Sequence, residues 1–233
     1  MKKLVLLIVT IVITLLVNKS WAQENDNNKE SDSKQEKKDN RESDFRDKLI
    51  IGIKGGANLS NVYDTKGEDF QADPKYGFVG GGYVAIPIGT YFGVQPELLF
   101  SQKGFQATGK IIGQSYEFTR TTTFIDVPLL IAFKPSEFIT ILAGPQYSYL
   151  IKQKDVFTSS NSKVQVEQEF AHDDIRKNML CFKGGVDFNF KQFVLGIRTG
   201  WDVLNNNGDG STTTPRYKNV WYQATIGYTL YND

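Results

Sequence analysis

Cysteine is almost missing from this chain. Cys181 is alone among 233 residues, which excludes an intramolecular disulfide and any cysteine-based metal site. Histidine is as scarce, with His172 the single example. An excess of one charge is also lacking. The 27 Lys and Arg stand against 26 Asp and Glu, so the chain has no basic surplus of the kind a nucleic-acid surface requires. Beyond residue 17 no apolar run approaches the roughly 18 residues that mark a membrane-crossing helix. A bilayer, if this chain crosses one, is crossed by strands.

The one apolar run lies at the start. Lys2 and Lys3 precede an apolar stretch over residues 4–17, and Ser20-Trp21-Ala22 offers a small-x-small cleavage site, the pattern of a secretory signal peptide. At about 14 residues the stretch is short of the roughly 20 that a spanning helix needs. Residues 1–22 are therefore expected to be removed on export. Residues 23–48 change character, with nine acidic and seven basic residues among Asn, Ser and Gln, and Phe45 as the only large apolar side chain. Such a segment buries too little surface to offset the entropy of ordering. It reads as a disordered, charged periplasmic tail, able to tether an envelope partner.

Residues 49–233 alternate. In the run from Phe190 to Leu204, Phe193, Leu195, Ile197, Trp201 and Val203 are apolar, while Gly196, Arg198, Gly200 and Asp202 between them are small or ionic. Successive side chains of a strand point to opposite faces, so one face of this strand is greasy and the other is not. Eight such segments are expected, at 49–60, 75–87, 91–103, 117–134, 138–151, 177–190, 192–204 and 217–231. Connections at 88–90, 135–137 and Lys191 are tight, whereas 61–74, 104–116, 152–176 and 205–216 read as long polar loops. An even strand count with short turns at one rim and long loops at the other is the signature of an outer-membrane barrel. The expected fold is all-β, an eight-stranded antiparallel up-and-down transmembrane β-barrel over residues 49–233. Its tail and C-terminus would both lie on the periplasmic side of a Gram-negative outer membrane.

A soluble lipocalin-like carrier uses the same alternation with the faces reversed. Three features favour the membrane. The polar face carries glycines that suit the narrow bore of eight strands. Its charges balance, with Lys54, Lys103, Arg120, Lys134, Lys183 and Arg198 against Glu97, Asp126, Asp187 and Asp202, as buried charges must. Aromatics gather near the strand ends as girdles, with Tyr76, Tyr147, Tyr149, Trp201 and Trp221 assigned to the outer one. In the last strand Val220, Tyr222, Ala224, Ile226, Tyr228 and Leu230 are expected to face lipid, and Gln223, Thr225, Gly227 and Thr229 to face inward.

Four stretches also resemble a known family. Ile51-Gly52-Ile53-Lys54-Gly55-Gly56-Ala57-Asn58-Leu59-Ser60 is similar to the opening strand of the PorT-like outer-membrane barrels of Bacteroidetes. So are Gln95-Pro96-Glu97-Leu98-Leu99-Phe100-Ser101-Gln102-Lys103-Gly104, Ile125-Asp126-Val127-Pro128-Leu129-Leu130 and Gly144-Pro145 to later parts of it. The resemblance implies an eight-stranded outer-membrane barrel and no enzyme. The family takes its name from a component of type IX secretion, a role the likeness alone does not carry to this chain.

Candidate chemistry is thin. His172 beside Asp173 and Asp174 is the only base a rim hydrolase or acyltransferase can use, and no strand-borne partner for it stands out. Asn205-Asn206-Asn207-Gly208-Asp209-Gly210-Ser211 echoes the start of a calcium loop, but its twelfth position is Arg216 and not the required Glu. Gly80-Gly81-Gly82 precedes no helix start and reads as close packing in the wall. Pro96, Pro128 and Pro145 lie on adjacent expected strands, nearly abreast, and each removes a ladder donor. A row of β-bulges is the expected consequence, and a seam through which an apolar molecule leaves the bore sideways is the functional alternative. The expected function is non-enzymatic: a structural, binding or envelope-partner role. Its expected partners are outer-membrane lipid and, through the tail or outer loops, envelope or secretion proteins. No cofactor or metal is expected. An accessory role in secretion, a narrow pore and a rim enzyme are the alternatives.

Overall fold

Alternation governs nearly the whole backbone in the computed structural model, which describes residues 45–64, 72–111, 114–159, 162–168, 176–206 and 217–232. The expected signal peptide, the tail as far as residue 44, His172 with its two Asp neighbours, and the Asn/Gly stretch from 207 onward lie outside these residues. The described residues form nine strands: β1 Ile50–Asp64, β2 Ala72–Pro87, β3 Phe92–Ile111, β4 Gln114–Ser136, β5 Ile139–Ser159, β6 Ser162–Gln168, β7 Asn178–Phe190, β8 Phe193–Asp202 and β9 Tyr217–Asn232. Eight of them close a ring of antiparallel pairs. Sequence neighbours pair throughout, β5 passes over β6 to pair with β7, and β9 returns to β1. The fold is a closed eight-stranded antiparallel β-barrel, so no wall strand is left with an open edge inside it.

The ninth strand corrects the expected loops. Residues 104–111 and 114–116 are not loop: β3 and β4 stay paired as far as Ile111↔Gln114. Residues 152–159 likewise continue β5, and β6 folds back on it from Ser159↔Ser162 to Gln153↔Gln168. The alternation persists through these polar residues, with Lys103, Phe105 and Ala107 all buried on one face of β3. Their low hydropathy concealed a strand that is wet on one side. β3 to β6 thus run on as a four-stranded sheet beyond the end of the wall, where β2 last pairs with β3 at Ala72↔Ala107 and β5 last pairs with β7 at Tyr149↔Asn178.

The two faces divide as the membrane reading requires. Outward, Ile53 is 52 % exposed, Leu98 61 %, and Ile131, Ile197 and Ile226 63 % each. Apolar surface of this extent around a whole wall belongs in hydrocarbon, the opposite of a lipocalin-like carrier. Inward, the charges are buried. Trp221 breaks from the expected outer girdle: it is 1 % exposed and lies in the bore. It shares the inward parity of Gln223 and Thr225, and Gly200 opposite makes room for it, since a Cβ there would lie 2.4 Å from the indole.

The prolines do not make bulges. Pairing between β2 and β3 skips from Tyr83↔Glu97 to Ile86↔Val94, between β3 and β4 from Pro96↔Leu129 to Leu99↔Asp126, and between β4 and β5 from Pro128↔Gln146 to Ile131↔Ala143. Register is unchanged across each gap, so bonds are lost without a residue being inserted. Proline's fixed φ suits an extended strand even though its donor is missing. Pro145 keeps its place in the ladder toward β7, opposite Phe182. Pro128 is buried on the inner face, while Pro145 is exposed on the outer one.

Candidate functional site: a bore filled in layers

The bore is packed with polar and apolar layers in turn. Nearest the short-turn end the inner face of β4 and β5 is apolar, with Leu130, Ala132 and Leu142 in one buried cluster. Above it sits an ionic node. One carboxylate oxygen of Glu97 on β3 accepts from Lys54 Nζ on β1 at 2.6 Å, Arg198 Nη1 on β8 at 2.6 Å and Gln95 Nε2 at 2.9 Å. Arg198 also grips both oxygens of Asp187 in bidentate fashion, the geometry a guanidinium fork favours. Four strands thus meet at two carboxylates.

Polar side chains and a second ionic layer follow. Gln223 donates to Asn58, and Asn58 donates onward to Ser101 Oγ at 3.1 Å and to the Gln102 carbonyl at 2.9 Å. Lys103 pairs with Asp126 at 3.3 Å and lies 3.8 Å from the centre of the Trp221 ring and 4.7 Å from that of Phe124. A desolvated cation on an indole face gains from the ring quadrupole. Asp202 accepts from the Cys181 thiol at 3.1 Å and from the Asn219 amide at 2.9 Å. Phe124, Leu150, Met179, Cys181 and Trp221 make the apolar layer here.

The last layer lies toward the protruding sheet. Arg120 donates to both oxygens of Asp155, at 2.8 and 2.7 Å, and to the Tyr217 hydroxyl at 3.1 Å. Phe105, Ala107 and Val62 pack beside Tyr217.

Of the charged residues expected to line the bore, Lys54, Glu97, Asp187 and Arg198 meet in one node, and Lys103, Asp126 and Asp202 gather in a second layer. Arg120 stands apart with Asp155, and Lys134 stands at the short-turn mouth. Lys183, fully buried, has no hydrogen-bond partner among the described residues. A buried amine of this kind calls for ordered water. Sequence reasoning missed Phe105 and Asp155 because their segments read as loops, and for Phe105 the unbroken parity from Lys103 was the available signal. Tyr217 lay in an expected strand, and its parity with Trp221 and Gln223 was the signal that it faces inward. The arrangement offers rigidity more than reactivity, because the carboxylates are engaged by cations or amides and the Cys181 thiol is buried. Among the described residues no cluster could hold a metal ion.

Residues 21–207 match the family described as outer membrane protein beta-barrel domain. Among solved structures, the attachment invasion locus protein Ail of Yersinia pestis is 15 % identical with a TM-score of 0.39, covering 79 % of this chain and 99 % of that one. Neisserial surface protein A is 9 % identical with a TM-score of 0.44, covering 77 % and 97 %. The outer membrane protease OmpT of Escherichia coli is 10 % identical with a TM-score of 0.35, covering 79 % and 97 %. No curated protein matches the sequence.

Proposed function

Because the chain belongs to the outer membrane protein beta-barrel family, we propose that it is a non-enzymatic outer-membrane protein whose protruding sheet binds an extended polypeptide. The observation that carries this reading is the free edge of β6. Among the described residues β6 pairs with β5 alone, leaving one row of main-chain donors and acceptors for an incoming strand. Barrels of this class keep their short turns in the periplasm and their long connections outside, so the sheet is presented to the exterior and residues 45–49 to the periplasm. The packed bore supports a structural wall over a pore. An accessory role in secretion fits the same surfaces.

Two measurements test this. Cysteine placed at Ser162 is expected to react with an impermeant thiol reagent on intact cells, and cysteine at Ser136 is not. The reverse pattern overturns the orientation. A photo-crosslinker at Gln165 is expected to capture a polypeptide that Val164→Pro with Val166→Pro releases while the barrel stays folded. Capture unchanged by those prolines ends the edge-binding reading.

The pairing gaps favour a second reading, a lateral seam. They cross three neighbouring junctions of the wall beside the buried Leu130 and Leu142, a place where strands can part for an apolar molecule. Cross-linking β3 to β4 and β4 to β5 beside the gaps is expected to abolish any such passage. Unchanged uptake of an apolar probe into vesicles counts against it.

A further inference from the structure

The chain before β1 does not simply hang from the barrel. Phe45–Asp47 forms a single 3-10 turn, and the Arg46 carbonyl accepts from Lys134 Nζ at 2.8 Å. Lys134 is 5 % exposed and shares the inward parity of Leu130 and Ala132 on β4. The Arg46 guanidinium sits 5.2 Å from the centre of the Tyr91 ring, and the Tyr91 carbonyl accepts from the Lys134 amide at 2.7 Å. These contacts tie residue 46 to the β3–β4 side of the mouth. Yet β1 starts at Ile50, paired with Ala85 on β2 and Asn232 on β9.

The ring order makes that distance informative. β4 lies three places from β1 in a ring of eight, close to diametrically opposite. Strands spaced about 4.8 Å apart and tilted about 40° give such a wall a diameter of about 16 Å. One 3-10 step of about 2 Å and three further residues at no more than about 3.3 Å each reach at most about 12 Å, and the inward-reaching Lys134 side chain covers the remainder. Residues 46–50 therefore run from the β3–β4 side of the short-turn mouth to β1, and Ala132 lies two residues from Lys134 on the same inward face. Near an open mouth, Leu130 and Ala132 are nonetheless 0 % and 1 % exposed.

We propose that residues 45–49 are a strap latched by Lys134 across the inner mouth, closing the apolar vestibule formed by Leu130, Ala132 and Leu142. The strap is continuous with the charged residues 23–44, which hold no large apolar side chain. A partner that draws this segment away from the barrel pulls the Arg46 carbonyl off Lys134 and uncovers the vestibule. That last step rests on the periplasmic placement proposed above, whereas the latch itself does not.

The test uses the purified full chain in detergent micelles, where orientation plays no part. Ala132→Cys is exposed to a small water-soluble thiol reagent and labelling is read peptide by peptide, with buried Cys181 as the internal reference. Labelling is expected to be slow in this background. It should be about tenfold faster or more with Lys134→Met, which removes one charge-assisted hydrogen bond, and slow again with Lys134→Arg. A Gly-Ser-Gly-Ser insertion after Lys48 slackens the strap without touching the barrel and should also speed labelling. It decides the matter if Lys134→Met fails to fold. Equal rates in parent, Lys134→Met and insertion variants, or a parent rate matching that of a cysteine at exposed Glu137 in the β4–β5 turn, overturn the strap.

Discussion

The two halves of the wall are built differently. β7, β8, β9 and β1 pair almost without interruption, from Cys181↔Asp202 to Phe190↔Phe193 and from Phe193↔Tyr228 to Trp201↔Val220, with one register shift at Ile51/Gly52. β2 to β5 carry a gap in every seam, each beside a proline. Unpaired main chain at membrane depth is costly, so the second half needs support from elsewhere. Glu97 follows Pro96 directly, at the edge of the gap, and its carboxylate holds Lys54 on β1 and Arg198 on β8. Charge-assisted bonds across the bore thus fasten the gapped half to the continuous one. Stability lost in the wall is offset in the lumen.

Breaking that fastening is expected to have the largest effect. Glu97→Gln leaves Lys54 and Arg198 facing each other around a neutral acceptor, and removing one partner of a buried pair costs about 3–5 kcal/mol. Urea unfolding in lipid vesicles measures it, and a loss below about 1 kcal/mol would mean that the node is filler. Next come Ile197→Arg on the continuous half and Ile131→Arg on the gapped half, each expected to cost about 2–4 kcal/mol at membrane depth. A null effect at either position would show that its face is not in lipid. The comparison sharpens with hydrogen exchange. Amides over residues 95–98 and 127–130 are expected to exchange about tenfold faster than those of β8, because fewer ladder bonds must open. Uniform protection would erase the distinction between the halves. Smallest is Pro96→Ala, which restores a donor but loosens the unfolded chain, and should move stability by less than about 1 kcal/mol either way.

The fold was legible because side-chain parity survives where hydropathy does not. Ile197, Arg198, Ile226 and Gly227 fall on the sides that alternation assigns them, and the tight turns at 88–90 and Lys191 are where short breaks in the pattern put them. Strand lengths were less legible. Polar alternating residues such as 104–111 look like loop until their inward partners, Tyr217 from the far end of the chain among them, are known. Trp221 shows the same lesson in one residue: aromatic character suggested a girdle, whereas its own strand's parity pointed inward. The proline gaps were visible as missing donors, but their outcome was not. Whether a lost bond shifts the register depends on the neighbouring strands, which no local pattern contains.

The placement of the two indoles beyond the expected signal peptide gives the molecule its own optical probes. Trp201 stands on the outer face beside Phe182, and Trp221 stands inside against a lysine. Brominated acyl chains should therefore quench the emission of the first and spare the second, while acrylamide added from water should reach neither well. A single spectrum taken as the barrel inserts would then report separately on the arrival of lipid around the wall and the closing of the bore.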